Sequence, residues 1–266
     1  MVKVRLDTLL HQRGLFDSRS RAAASVMAGE VRLGGAGGAR AAKPGQMVAA
    51  DAELTVDERP RYVSRGGVKL ENAVAGFGVD VSGRAALDVG ASTGGFTDFL
   101  LQAGASHVIA YDVAYGELSW SLRSDERVTV IERSNARGMT VDELPYRPDL
   151  IVSDVSFISL TKVLPAVLAC AADEFDALAM IKPQFEVGRE RIGSGGVVRD
   201  AADRRSALVS VARSVAPLAS VLGFASSGLP GPKGNLETFV WLGEPGRAGA
   251  LDDDGVVAAA EEVEPS

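Results

Sequence analysis

The sequence is poor in the residues that build disulfides and metal centres. Cys170 is the only cysteine among 266 residues, and the two histidines are His11 and His107. An internal disulfide is therefore impossible, and we expect no cysteine- or histidine-rich metal site. A single cysteine also fits a protein that works in the reducing cytoplasm.

Long apolar runs are missing as well. No stretch approaches the roughly 18 uncharged apolar residues that a membrane-spanning helix needs. The N-terminal segment, residues 1–7, has no apolar signal core. We therefore expect neither a membrane segment nor a secretion signal.

The chain does have an ordinary globular composition, with charge spread unevenly along it. Hydrophobic residues make up 46% and charged residues 24%, which argues against a disordered or collagen-like chain. The formal net charge is −7, yet residues 1–70 hold 12 Lys and Arg against 7 Asp and Glu, whereas residues 71–266 hold 16 against 28. A basic head on an acidic body favours two domains, with the head contacting a polyanion. The alternative is one domain with an uneven surface.

Composition also suggests the domain limits. Pro60 and the Gly66-Gly67 pair are typical of a linker. We predict a head domain over residues 1–58, a linker over 59–66, a second domain over 67–243 and a tail over 244–266. The tail holds seven acids and one arginine and few large apolar residues, so we expect it to be disordered.

The head reads as two helices followed by short strands. Apolar residues at helical spacing predict a helix over residues 4–13, and Ser18 is a good N-cap for a second helix from Arg19 to about Ala28. Cations in the first turn of that second helix are easier to understand if a phosphate docks there. Strands are expected near residues 29–33 and 53–56, with a glycine-rich turn between them.

Residues 3–57 resemble the small RNA-binding domain first seen in the fourth protein of the small ribosomal subunit. The order and spacing of the arginines and the Ser18-Arg19 helix start carry the resemblance, whereas the Gly34 to Arg40 turn departs from it. The resemblance implies an RNA-binding head that contacts mainly shape and phosphate. The predicted RNA-binding residues of the head and linker are Arg5, Arg13, Arg19, Arg21, Lys43, Arg61 and Arg65.

The second domain opens with a strand, a glycine loop and a helix. An apolar strand ends at Gly90, the loop runs to Gly95, and the next strand ends in Asp112, 22 residues after Gly90. This is the nucleotide-binding opening of a doubly wound sheet, in which the acid binds ribose hydroxyls. Further strands near residues 128–131, 149–154, 177–182 and 236–242, with helices over 159–171 and 201–215, complete an α/β Rossmann-like pattern.

The glycine loop favours S-adenosylmethionine over a dinucleotide. It lacks the G-x-G-x-x-G pattern that cradles a pyrophosphate, while Asp88-x-Gly90 with Gly94 looks like the first motif of S-adenosylmethionine-dependent methyltransferases. For Asn135 a place by the adenine and a turn role stay open; Phe157 could line the methionine end, contact the target base or simply pack. The predicted cofactor-binding residues are Asp88, Gly90, Ala91, Ser92, Thr93, Gly94, Asp112, Asn135 and Phe157.

Four motifs of the second domain carry charged residues in a recognisable order. They contain Lys69, Asp154, Lys182 and Glu237, and together residues 63–243 closely resemble the RNA ribose 2′-O-methyltransferases of the FtsJ-like group. That resemblance implies a mostly parallel sheet with an antiparallel last strand and a catalytic Lys-Asp-Lys-Glu tetrad at these four positions. With the head, the whole chain resembles the TlyA family, whose members are named as hemolysins. The resemblance implies methylation of cytidine ribose in 16S and 23S ribosomal RNA, with ribosomal subunits as partners.

The chemistry fits the tetrad. A ribose hydroxyl must lose its proton as it attacks a methyl group, and an isolated lysine is protonated at neutral pH. A second ammonium nearby makes it easier for one lysine to release its proton. We expect Lys182 to be the base, with Lys69 beside it and with Asp154 and Glu237 holding the geometry. Each residue alone could equally form a structural salt bridge.

Three other functions compete with this prediction. A membrane-active hemolysin is disfavoured by the missing signal and membrane segments, and a non-catalytic RNA-binding module by the intact tetrad. A nicotinamide oxidoreductase is disfavoured by the missing pyrophosphate pattern. We expect no metal and no membrane partner.

Overall fold

A computed structural model describes residues 2–35, 37–57 and 60–264. These residues form two compact units, Met1–Arg61 and Tyr62–Ser266. Residue 59, where the predicted linker begins, and the last two residues of the predicted tail lie outside the described residues.

The first unit is a small α+β unit. Its elements are β1 (Lys3–Arg5), α1 (Leu6–Gln12), α2 (Arg19–Met27), β2 (Val31–Leu33), β3 (Ala39–Arg40), β4 (Met47–Ala49) and β5 (Leu54–Val56). Strand β1 pairs with β4, and β2 lies between β3 and β5, all antiparallel. Leu6 and Leu10 of α1 and Val26 of α2 pack with Val31 in its core.

The start of α2 is confirmed and the start of α1 is corrected. Ser18 caps α2, because its side chain accepts a hydrogen bond from the backbone N–H of Arg21. The predicted first helix began at Val4, but Val4 lies in β1 opposite Val48. Pairing with β4, which the sequence pattern did not reveal, outweighs the helical spacing of these residues.

The second unit is a seven-stranded sheet with helices on both faces. Its strands are β6 (Ala85–Val89), β7 (His107–Tyr111), β8 (Val128–Ile131), β9 (Leu150–Ser153), β10 (Asp176–Ile181), β11 (Ser220–Ser226) and β12 (Thr238–Gly243). Its α-helices are α3 (Arg65–Phe77), α4 (Gly95–Gln102), α5 (Trp120–Arg123), α6 (Leu164–Leu168), α7 (Pro183–Glu186), α8 (Ala201–Val215) and α9 (Asp253–Val263). Short 3₁₀ turns occupy Ala136–Gly138, Val141–Glu143, Leu160–Lys162, Arg189–Arg191 and Ser194–Gly196.

The strand order is β11-β12-β10-β9-β6-β7-β8. Strands β10, β9, β6, β7 and β8 pair in parallel, whereas β12 runs antiparallel to both of its neighbours, β10 and β11. The α/β Rossmann-like fold class with its antiparallel last strand is therefore confirmed. The central strands are apolar along their length because helices cover both faces of the sheet.

The predicted helix over 159–171 is shorter and broken. A 3₁₀ turn, Leu160–Lys162, precedes α6, whose first turn contains Pro165. Proline has no backbone N–H and its ring clashes with the preceding turn, so the α-helix begins next to it rather than running through it.

The predicted linker is also corrected, because its second half belongs to the second unit. The side chain of Tyr62 is buried, and its ring meets that of Phe99 edge to face at 5.8 Å. Helix α3 begins at Arg65 with Ser64 as its N-cap. A Cβ on Gly67 would lie 2.3 Å from the Tyr62 ring, so this glycine allows close packing rather than flexibility.

The prediction of a disordered tail is wrong. Helix α9 begins after Asp252, whose side chain accepts a hydrogen bond from Gly255 N. Val256 and Ala260 lie four residues apart, share one face of the helix and are buried in the core. An apolar stripe with only two buried residues is not visible in the composition.

Candidate active site

The four residues of the predicted tetrad line one cavity of about 500 Å³. Lys69 comes from α3, Asp154 follows β9, Lys182 follows β10, and Glu237 precedes β12. The cavity opens at the carboxyl ends of the parallel strands, where ligands of such sheets bind. The structure thus brings together residues that span most of the second unit; we call this space the tetrad cavity.

The tetrad consists of two ion pairs. Nζ of Lys69 donates a hydrogen bond to Oε2 of Glu237, and both side chains are buried. Nζ of Lys182 lies 2.5 Å from Oδ1 of Asp154 and donates to Oγ of Ser156 at 2.8 Å. Each lysine therefore has its own carboxylate partner.

Sheet register places these side chains together. Ala179 of β10 pairs with Ser153 of β9, so Asp154 and Lys182 leave neighbouring strands at the same edge. Ile181 pairs with Thr238 of β12, an antiparallel neighbour. Lys182 directly follows that pair and Glu237 directly precedes it, so both lie just beyond the end of the sheet.

Glu186 fixes the loop after Asp154. Its carboxylate accepts hydrogen bonds from Oγ of Ser159 at 2.6 Å and from the backbone N–H of Leu160 at 2.8 Å. Burial raises the pKa of Glu186, and the two hydrogen bonds oppose that shift. Helix α7, which begins right after Lys182, therefore holds the segment that begins at Asp154.

A second cavity of about 370 Å³ adjoins the first. Both cavities share Gly90, Ser92, Asp154 and Ser156 in their linings. We call this second space the nucleoside cavity, because its walls come from the glycine loop and from the end of β7, where the sequence predicts the nucleoside part of a cofactor. Of the predicted cofactor residues it is lined by Gly90, Ser92, Asp112, Asn135 and Phe157.

The glycine loop approaches its neighbours closely. Gly90 has a φ of +87°, and a Cβ there would lie 2.7 Å from the carbonyl oxygen of Asp154. Oδ2 of Asp112 accepts a hydrogen bond from Ser92 N, and Oδ1 accepts one from Ala114 N, each at 2.7 Å. The Asp112 carboxylate is thus held in a fixed orientation by backbone donors.

Asp88 does not reach either cavity. Its side chain is fully buried, and its Oδ2 accepts hydrogen bonds from the backbone N–H and the hydroxyl of Thr97 in the first turn of α4. Burial is the main cause that raises its pKa to about 7, against the lowering effect of Thr97. Asp88 was predicted to contact the cofactor. In the structure it instead supports the glycine loop from beneath.

The rest of the loop divides between packing and the tetrad cavity. Ala91 and Thr93 line the tetrad cavity rather than the nucleoside cavity. Gly94 lines neither; its φ is +97°, and a Cβ there would lie 2.3 Å from Leu122. Gly94 was predicted to contact the cofactor. In the structure, its missing side chain instead allows close packing against Leu122.

Asn135 and Phe157 both lie at the nucleoside cavity. Oδ1 of Asn135 accepts a hydrogen bond from Arg137 N, so this residue caps a 3₁₀ turn while lining the cavity. Phe157 is 92% exposed and has a φ of +64°, unusual for a residue with a large side chain. Its ring lies 5.3 Å from that of Phe185.

Sequence reasoning missed several lining residues. Glu117 lines the nucleoside cavity and accepts a hydrogen bond from Oγ of Ser92 at 3.1 Å. Ser156 joins both cavities, and Ser64 lines the tetrad cavity. Ser64 could have been found from its position before a helix, whereas nothing in the local sequence marks Glu117.

The predicted RNA-binding cations of the first unit differ in the contacts that they make within the chain. Arg5 is bonded to Asp7, a contact that lowers the pKa of Asp7 to about 2. Arg19 lies 3.6 Å from Asp7, and Arg21 pairs with Asp17.

Arg13 supports the fold of the first unit. Its guanidinium donates to the carbonyl oxygens of Ala50 and Ala52, each at 2.7 Å. Lys43 and Arg61 are exposed. Arg65 lines the tetrad cavity and donates to the carbonyl oxygen of Pro230 at 3.3 Å, so it belongs to the second unit.

Across residues 2–35, 37–57 and 60–264, no helix combines the length and the apolar character needed to cross a membrane. The same described residues contain no group of three or more His, Cys, Asp or Glu side chains placed to hold a metal ion.

Comparisons with known proteins show the family of the chain. A family model described as FtsJ-like methyltransferase matches residues 62–244. The 16S/23S rRNA (cytidine-2′-O)-methyltransferase TlyA of Mycobacterium tuberculosis is 49% identical over 243 residues, covering 90% of each chain. Hemolysin A of Brachyspira hyodysenteriae is 38% identical, covering 88% of this chain and 97% of its own.

A solved structure shows the same fold over the whole length. A hemolysin-named protein from Streptococcus thermophilus is 40% identical, with a TM-score of 0.72. The match covers 99% of this chain and 96% of that one.

Proposed function

The chain belongs to the FtsJ-like methyltransferase family, and we propose on that premise that it methylates the ribose 2′-hydroxyl of cytidine in ribosomal RNA, using S-adenosylmethionine. The observation that carries the proposal is the convergence of Lys69, Asp154, Lys182 and Glu237 on one cavity beside the nucleoside cavity. The substrate comes from the TlyA relative of Mycobacterium tuberculosis, whose name states it.

The nucleoside cavity fits S-adenosylmethionine. Its volume of about 370 Å³ lies within the roughly 300–1,000 Å³ of small-molecule sites. The Asp112 carboxylate, fixed by two backbone donors, can accept hydrogen bonds from both hydroxyls of a ribose. Gly90 lets the backbone approach a ligand closely because it has no side chain. When bound, this cofactor supplies a methyl group on a positively charged sulfur.

The tetrad would act on the ribose hydroxyl. Once deprotonated, Lys182 would take the hydroxyl proton onto Nζ as the ribose oxygen bonds to the methyl carbon, while the bond from that carbon to the cofactor sulfur would break and leave the sulfur neutral. Asp154, 2.5 Å away, stabilises the ammonium that results. Asp154 and Ser156 line both cavities, so the proton acceptor is held where the two cavities meet.

Lys69 and Glu237 hold the other side of the tetrad cavity. Their ion pair is buried, which keeps both side chains in one geometry. Holding the reacting groups in line can contribute roughly 7–11 kcal/mol to the reduction of the barrier. Phe157, apolar and exposed beside Asp154, offers a ring on which a target base can stack.

The first unit would dock the RNA, and the chain would then work on ribosomal subunits in the cytoplasm. Lys43 is exposed, which suits a phosphate contact. Arg65, at the tetrad cavity, suits a contact close to the target nucleotide. The predicted contacts of Arg5, Arg19 and Arg21 would have to compete with their aspartate partners.

Two experiments test the function. Purified chain is incubated with ribosomal subunits and S-adenosylmethionine labelled in its methyl group, and 2′-O-methyl sites are mapped on ribosomal RNA from cells with and without the gene. We expect cytidine-specific label that is absent when Asp154 is replaced by alanine. Label on bases rather than ribose, or membrane lysis without any transfer to RNA, would overturn the proposal.

A further inference from the structure

Glu264, just after α9, is an acidic residue buried in the second unit. It is 6% exposed, although its neighbours Glu261 and Glu262 on the same helix are exposed. A buried carboxylate is costly unless it is paired and hydrogen-bonded. The partners of the Glu264 carboxylate therefore decide whether its burial is tolerated.

Arg204 of α8 is the ionic partner of Glu264. Nε of Arg204 donates to Oε2 of Glu264 at 2.7 Å, and only 11% and 8% of the two side chains are exposed. Nη1 of Arg205 donates to the backbone carbonyl of Glu264 at 3.3 Å. Two adjacent arginines on α8 thus hold the end of α9.

The other carboxylate oxygen accepts a hydrogen bond from Thr238, the neighbour of Glu237 in sequence. Oγ1 of Thr238 donates to Oε1 of Glu264 at 3.3 Å, and Thr238 is also buried. Thr238 directly follows Glu237 in the sequence and pairs with Ile181, which directly precedes Lys182. Glu264 therefore contacts a residue that is next to Glu237 in sequence and pairs with the residue next to Lys182.

Arg204 extends the same network to the loop before α8. Its Nη1 donates to the carbonyl oxygen of Arg199 at 2.7 Å. The next residue back, Val198, donates its backbone N–H to Oδ1 of Asn235 at 2.9 Å, and Nδ2 of Asn235 donates to the carbonyl of Gly196. Asn235 lies two residues before Glu237, so a second line of hydrogen bonds ends close to the tetrad in sequence.

We propose that Glu264 and Arg204 are positioning residues that fix Glu237 and Lys182 through hydrogen bonds that lead to Thr238 and Asn235. The role rests on the proposed methyl transfer, because it is defined by the tetrad. Glu264 lines neither cavity, so it acts through Thr238 and not on any ligand. The segment that the sequence pattern assigned to a disordered tail thereby becomes part of the support of the active site.

The test compares Glu264→Ala, Glu264→Gln and the control Glu262→Ala in the full chain. We expect kcat to fall by about tenfold or more in E264A, since a displacement of about 1 Å can cost about a hundredfold. The dissociation constant of S-adenosylmethionine should change less than about twofold, because the nucleoside cavity is lined by other residues. E264Q keeps an acceptor for Thr238 and should recover part of kcat, and E262A should match the wild type.

Hydrogen–deuterium exchange separates this proposal from the proposed function. In E264A the amides of residues 196–198 and 235–239 should exchange faster, while those of residues 88–95 should not. Unchanged kcat in E264A, or a loss of cofactor affinity equal to the loss of kcat, would overturn the positioning role. If wild-type protein transfers no methyl group to RNA, the proposed function fails, and faster exchange confined to these segments would still establish the anchor. If E264A does not fold, E264Q takes its place: a kcat loss with wild-type cofactor affinity supports the role, and wild-type kcat overturns it.

Discussion

Lys69 and Glu237, 168 residues apart in the sequence, form a buried ion pair in the wall of the tetrad cavity. The pair joins α3, the first helix of the second unit, to β12, its last strand. Both side chains are almost completely shielded from water, so each depends on the other to offset the cost of burying a charge. This dependence can be measured apart from catalysis.

Replacing one partner should destabilise the protein more than replacing both. We expect Lys69→Met alone to lower the free energy of unfolding by about 3–5 kcal/mol, because Glu237 is left buried and unpaired. The double variant K69M/E237L should recover a large part of that loss. Urea unfolding of the wild type, both single variants and the double variant measures the coupling, with exposed Lys162→Met as the control. Additive losses would contradict the pairing.

Lys182→Ala should abolish methyl transfer without loss of cofactor binding. Lys182 lines the tetrad cavity but not the nucleoside cavity, and a positioned base contributes roughly 10²–10⁴ in rate. Single-turnover transfer to ribosomal RNA gives the rate, and isothermal titration with S-adenosylmethionine gives the affinity. Lys233→Ala, an exposed lysine in the loop before Glu237, is the matched control. Turnover above about a tenth of the wild-type rate would remove Lys182 from the role of base.

Asp112→Ala should weaken cofactor binding but leave methyl transfer measurable. The Asp112 carboxylate lines the nucleoside cavity and is not part of the tetrad cavity. We expect the dissociation constant of S-adenosylmethionine to rise by about tenfold or more, since hydrogen bonds to a charged group contribute roughly 1.5–3 kcal/mol. Transfer at saturating cofactor should remain measurable. Unaltered affinity would show that the ligand lies elsewhere.

The raised pKa of buried Asp88 predicts that the stability of the protein depends on pH. Burial raises its pKa from 3.8 to about 7 in the folded protein, so between these values the folded state binds a proton that the unfolded state has released. This contribution to stability is complete below pH 3.8, decreases as the pH rises and is lost above about pH 7. Asp88→Asn removes the titrating group.

The unfolding midpoints of D88N and the wild type should therefore diverge as the pH rises from 4 to 7. The asparagine can still accept the hydrogen bonds from Thr97, and D88N should gain relative to the wild type toward pH 7. Exposed Asp142→Asn serves as the control. A constant difference across this range would show that Asp88 does not titrate there.

Lys43 and Arg13 should separate RNA binding from folding in the first unit. Lys43→Ala should weaken RNA binding and reduce the slope of log affinity against log salt by about 0.7–0.9, as expected for one lost phosphate contact. Arg13→Ala should instead lower the unfolding temperature, because two carbonyl oxygens lose their donor. Filter binding at several salt concentrations and calorimetry measure both. An unchanged salt slope in K43A would place the RNA on another face.

The tetrad could be predicted from the sequence because its signals are local. Asp154 and Lys182 each end an apolar strand, and parallel strands bring such ends together. Lys69 and Glu237 were found through the resemblance of their motifs. What the sequence does not contain is the pairing: nothing local indicates that Lys69 bonds to Glu237 rather than to Asp154.

The errors have a common physical origin. Asp88 sits in a glycine motif, so its pattern indicates a ligand contact, but β6 is covered on both faces and its side chain is turned into the core. Helix α9 has only two buried residues in its apolar stripe. The Gly66-Gly67 pair looked like a linker, but Gly67 instead accommodates the Tyr62 ring. In each case long-range packing decides the outcome, and local composition cannot report it.

The position of β12 in the sheet has a consequence for how the protein is made. β11 has β12 as its neighbour in the sheet, and β12 inserts between β11 and β10. Synthesis proceeds from the N-terminus. Until residue 243 has been added, β11 therefore remains unpaired and Lys69 lacks its partner Glu237. Closure of the sheet and assembly of the tetrad are thus one late event, so an incomplete chain exposes a strand edge to aggregation but has no working active site.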